Sequence, residues 1–60
     1  MDNTTKAELE KLVADTRKHV EATEQAIRIG SLPDVLICAA DLVNAAGKLG
    51  DTARAAALDD

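Results

Sequence analysis

The run Gly30-Ser31-Leu32-Pro33-Asp34, in the middle of a 60-residue chain, constrains the fold more than any other feature. Glycine takes up the left-handed backbone that closes a helix at its C-terminus. Ser31 then offers a hydroxyl N-cap, Pro33 falls in a first turn where its missing N–H is not needed, and Asp34 favours the positive end of the helix dipole. One helix therefore ends and another begins within a few residues. So short a connection requires the two to run antiparallel.

The flanking segments carry helical periodicity. Thr5-Lys6-Ala7-Glu8 fits a capping box, in which a hydroxyl and a carboxylate satisfy each other's backbone N–H groups. Leu9, Val13, Thr16, Val20, Thr23 and Ile27 then recur at spacings of four and three, a narrow inward stripe that Leu12 widens. This predicts helix 1 over about residues 5–29, with the turn at 30–34. From Lys6 to Ile29 it would span roughly 36 Å at about 1.5 Å per residue.

Helix 2, predicted over about 32–49, has a broader apolar arc of Leu32, Val35, Leu36, Ala39, Leu42, Val43, Ala46, Leu49 and Ala53, with Cys38 and Ala45 at its margin. One helix cannot cover an arc this wide, so helix 2 is expected to face two neighbours. Ile37 lies outside the arc. Ala39, Ala40, Ala45, Ala46, Gly47 and Gly50 would admit another backbone closely. Gly47 and Gly50 leave two endings open, because each interior glycine costs about 1 kcal/mol relative to alanine. Residues 51–58 either continue the rod, as Ala55-Ala56-Ala57 favours, or form a short third helix capped by Asp51.

A core built from these residues is small. Chains of this length are marginal unless something staples them. Here there are no Phe, Tyr or Trp, and the single Cys38 cannot form an intramolecular disulfide. Cys38 and His19 make no zinc-ligand set. Oligomerisation, or docking on a partner, is what remains. The fold class expected is thus all-α: an antiparallel helical hairpin, one domain over residues 1–60, dimerising into a four-helix bundle.

Charge narrows the partners. Eleven acids against seven Lys and Arg give a net charge of -4, which disfavours nonspecific duplex DNA and anionic membranes. Residues 1–6 contain no apolar signal segment, and the longest apolar run, Val35 to Ala40, is far short of a membrane span. A cytoplasmic location with no membrane partner is the expectation.

No constellation of catalytic type emerges. His19 lies four residues after Asp15, so the two can share a hydrogen bond, but a metal would need further ligands. Cys38 in apolar company reads as a small buried hydrophobe, not a nucleophile. The glycines match neither nucleotide-binding fingerprint. Leu42 and Leu49-Gly50 resemble the histidine-containing phosphotransfer helix, yet Ala40 stands where that family has its phosphorylated His and Val43 where a Lys follows, which removes the chemistry. Lys6 and Glu10, Arg17 and Glu21, and Glu24 and Arg28 are each four apart and read as a solvated ion-pair face. No enzyme activity, cofactor or metal is expected.

The leading expectation is a small non-enzymatic interaction protein (a regulator, adaptor or inhibitor, of a size that phages and plasmids also carry). It would act as a homo-oligomer, with a dimer favoured, by binding a protein partner. Its association surface is placed on Val35, Leu36, Ala39, Leu42, Val43, Ala46, Leu49 and Ala53. The hairpin layout with its turn near residue 30 resembles the Rop family of RNA-binding dimers. That resemblance implies RNA as the alternative partner, for which Lys11 and Lys18, seven apart, form the nearest basic edge. A small-ligand binder with a pocket at a subunit junction is the third class.

Overall fold

In a computed structural model describing residues 1–59, the chain is two helices, α1 (Asn3–Ile29) and α2 (Leu32–Asp59), packed antiparallel against each other. Asp60, the last residue of the expected domain, lies outside the described residues. The all-α helical hairpin read from the sequence is the observed fold.

Three hydrogen bonds set the turn. Gly30, at φ 82°, donates its N–H to the carbonyls of Ala26 at 3.0 Å and Ile27 at 3.1 Å, and the Ser31 N–H donates to Ala26 at 3.2 Å. This is the paired closure of a Schellman cap, which uses up carbonyls that a helix end otherwise leaves unsatisfied. Ser31 caps α2 through its carbonyl, which accepts from Val35 N–H at 2.9 Å. Its hydroxyl makes no hydrogen bond among the described residues.

One local expectation is corrected and one open alternative is decided. α1 begins at Asn3 rather than near Thr5, because Asp2 is the cap: its carboxylate accepts the Thr5 N–H at 2.6 Å. An anion at a helix N-terminus is favoured by both the orphan N–H and the helix dipole, and that bond holds the Asp2 carboxyl below its ordinary value of 3.8. Thr5 and Glu8 therefore lie inside the helix and form no capping box. At the other end, α2 runs unbroken through Gly47 and Gly50 to Asp59. No third helix starts at Asp51, whose carboxylate instead faces Arg54 at 3.5 Å on the surface. The first turns of α1 lie alongside the last turns of α2, beyond the two glycines.

The seam between the helices is not the one the strongest apolar pattern indicates. On α1, Thr5, Leu9, Leu12, Thr16, His19, Thr23 and Ala26 are the residues shielded from water. Val13 and Val20, expected in the inward stripe, lie at its border with 39% and 38% exposure, and Ile27 stands outside it at 61%. On α2 the shielded row is Val35, Cys38, Leu42, Ala45, Leu49, Thr52 and Ala56. Cys38 and Ala45, expected at the margin, are thus in the seam. Both rows alternate steps of three and four, the knobs-into-holes pattern of a two-stranded coiled coil. The Thr16 and Thr23 hydroxyls donate to the carbonyls of Leu12 and His19 at 2.8 and 2.7 Å, so they enter the seam without an unmade hydrogen bond.

This seam is thin. The residues fully buried are Ala26 and Ala45, at 4% and 5% exposure, and no large side chain is fully buried among the described residues. The Cα trace measures 44 × 16 × 9 Å, a layer one helix thick, with a radius of gyration of 13.9 Å. A compact domain of this length would have about 10 Å.

Candidate association surface

A two-helix layer has two broad faces, and here they differ in chemistry. On one, Asp15 and His19 of α1 and Asp41, Asn44 and Lys48 of α2 line a shallow depression of about 220 Å³. Asp15 precedes an inward residue on α1, and Asp41 and Lys48 precede inward residues on α2. In an antiparallel pair, equivalent steps off the seam fall on the same side of the layer. The residues one step beyond His19 and its equivalents on α1, and beyond Cys38 and its equivalents on α2, accordingly share the opposite face.

That opposite face is apolar except at its open end, where α1 presents Lys6. α1 contributes Val13, Val20 and Ile27, and α2 contributes Leu32, Ala39, Ala46 and Ala53. A further row on α2, Leu36, Val43, Gly50 and Ala57, extends it outward. Ile27, Leu32, Leu36 and Val43 are between 61% and 79% exposed. Scattered surface aliphatics need no explanation, whereas a contiguous apolar face contributed by both helices makes this surface the candidate for association.

The residues expected to form this surface divide in two. Val35, Leu42 and Leu49 point into the hairpin seam and are used up against α1. Leu36, Val43, Ala46 and Ala53 point outward, and Ala39 lies half-buried between the two settings. The α1 contribution was missed because Val13, Val20 and Ile27 read as core. A signal was present nonetheless: Leu9, Thr16 and Thr23 belong to two overlapping stripes, one completed by Val13, Val20 and Ile27 and the other by Leu12, His19 and Ala26.

Lys11 and Lys18 are exposed and lie toward the polar face of the layer. Ile37 is also on that side, 61% exposed. Among the described residues the only ion pair is Arg54 with Asp51, and the His19 ring lies 4.0 Å from the Asp15 carboxylate. The expected pairs Lys6–Glu10, Arg17–Glu21 and Glu24–Arg28 are not closed. Exposed pairs of this kind gain less than about 1 kcal/mol and sacrifice side-chain freedom, so the charges stay in water. His19 approaches Asp15 at a distance too long for a hydrogen bond. No group of three or more potential metal-ligating side chains gathers anywhere among the described residues.

A second opening lies at the open end of the hairpin, a groove of about 420 Å³ between the α1 N-terminus and the α2 C-terminus, lined by Met1, Thr5, Leu9, Ala53, Ala56 and Ala57 together with the acids Asp2 and Asp59. Neither described helix is long and apolar enough to cross a membrane. Comparison with protein-family models, with curated proteins and with solved structures gave no match.

Proposed function

We propose that this chain is a non-enzymatic interaction protein that works as a homo-oligomer and, once assembled, binds a protein partner. The observation that carries the reading is the apolar face built jointly by α1 and α2. A chain whose buried residues are two alanines would gain further apolar burial when that face is covered. With the face covered, what remains outside is predominantly acidic, net -4 per chain. Such a surface suits a basic protein partner, approached with electrostatic steering.

The test is affinity purification of a tagged chain from cells that also contain untagged chain, alongside a Val20→Glu/Val43→Glu variant. The reading expects untagged chain and a second protein to be retained in near-constant ratio, and both to be lost with the variant. It is overturned if the tagged chain retains no copy of itself, or if the variant retains the same proteins in the same amounts.

A further inference from the structure

The apolar face has a shape as well as a composition, and the shape specifies its occupant. The chain exposes 4629 Å², whereas a compact folded chain of 6.3 kDa exposes about 3,700 Å². The surplus of roughly 900 Å² is close to the ~800 Å² that each partner contributes to a standard stable interface. A second copy of the chain, presenting the same face, would remove it in one step.

Side-chain size is graded along that face. Near the turn stand Ile27, Leu32 and Leu36, midway stand Val43 and Ala46, and near the open end stand Gly50, Ala53 and Ala57 of α2 with Lys6 of α1. Two copies can meet face to face about a two-fold axis in two ways. With both turns at one end, bulky residues oppose bulky ones while small ones oppose small. The charged α1 row of Glu10, Arg17 and Glu24 then lies over the apolar row of the partner's α2. With the turns at opposite ends, α2 packs antiparallel on the other α2. Leu32 then comes level with Ala57 of the second copy, Leu36 with Ala53, and Val43 with Ala46. Large residues face small ones along the length, which is how facing layers interdigitate without voids or overlap. The charged α1 rows meet at the outer edge, Arg17 beside Arg17 and Glu10 beside Glu24 of the second copy, where water and salt screen the like charges.

The groove at the open end supplies an independent reason. Ala53 and Ala57 form one of its walls, with Leu9 and Thr5 inside. In the opposite-ended arrangement, Leu32 and Leu36 of the second copy, 79% and 73% exposed, sit over this groove. Each turn thereby closes the other chain's open end.

We infer that two copies of this chain associate through the α1–α2 apolar face, with α2 antiparallel to α2 and each turn seated on the open end of the other. The inference rests on the homo-oligomeric reading above but specifies the surface and the direction. Its test is a Cys38→Ser/Leu36→Cys/Ala53→Cys variant, oxidised at micromolar concentration and run without reductant, with the mass of the unaltered chain measured by sedimentation. Positions 36 and 53 are separated by about 25 Å along one straight helix, so any disulfide between them joins two chains. The expected result is a unaltered-chain mass of twice 6.3 kDa and near-complete conversion of the variant to a covalent dimer with the helical circular dichroism of the parent. Cys38→Ser/Leu36→Cys alone should convert far less. A Leu36→Ala/Ala53→Leu exchange should restore dimerisation weakened by Ala53→Leu, a readout that does not depend on disulfide geometry. An unaltered chain that stays monomeric leaves the face to some other partner and overturns both readings. A dimer in which the 36–53 link fails and the exchange does not rescue overturns only the opposite-ended arrangement.

Discussion

Leu36→Ala separates what the hairpin contributes to stability from what association contributes. Leu36 is 73% exposed, so the hairpin alone withdraws only about a quarter of it from water. Truncation to alanine removes three carbons, or about 2.4 kcal/mol at ~0.8 kcal/mol per fully buried carbon. Roughly 0.6 kcal/mol of that belongs to the hairpin. The remaining ~1.8 kcal/mol is released only when the face is covered, and a two-fold dimer loses it twice. At about 1.4 kcal/mol per decade, the dissociation constant should rise by 10²–10³. Sedimentation equilibrium over a wide range of loading concentrations measures this directly. Leu49→Ala is the contrast: Leu49 lies in the seam between α1 and α2, so its truncation should lower the unfolding midpoint at every concentration. If Leu36→Ala leaves the dissociation constant within twofold, the apolar face is not what holds copies together, and the reasoning from exposed area fails.

Three further outcomes follow from the helices themselves. Gly30→Ala should lower thermal stability by about 1 kcal/mol, since φ 82° strains any residue with a Cβ even though open space surrounds it. Gly47→Ala, also in open space but mid-helix, should raise stability by a similar ~1 kcal/mol; chemical denaturation of the pair would show opposite signs. Thr23→Val should be neutral or stabilising by up to about 1 kcal/mol, because the hydroxyl only back-bonds to His19 of its own helix and its loss orphans nothing; a clear destabilisation would contradict this. For Asp2, the folded carboxyl lies below its ordinary value of 3.8. Its contribution is therefore complete above that value and is lost as pH falls through the lower folded one. Hydrogen exchange at Thr5 should lose protection in that acid window, whereas Asp2→Asn should keep its protection constant there.

The sequence determined the elements and the turn, because those rest on local chemistry. A glycine that can take positive φ, a capping residue directly after it, and a proline tolerated in a first turn act within a few residues of each other. They specify a hairpin wherever the chain is found. Helical periodicity also survived two interior glycines, since neighbouring alanines favour the same conformation.

Which face of each helix turns inward was decided by tertiary structure. Leu9, Thr16 and Thr23 are common to two stripes, and the more apolar stripe, with Val13, Val20 and Ile27, is the one left outside. Sequence hydrophobicity measures what must eventually leave water, not which neighbour removes it. The helices approach through Ala26, Ala45 and the small Thr and Cys side chains because close backbone packing needs short residues at the seam. Leu9, Leu12, Val35, Leu42 and Leu49 share that seam, while Ile27, Leu32, Leu36 and Val43 are left on a face that the hairpin does not cover.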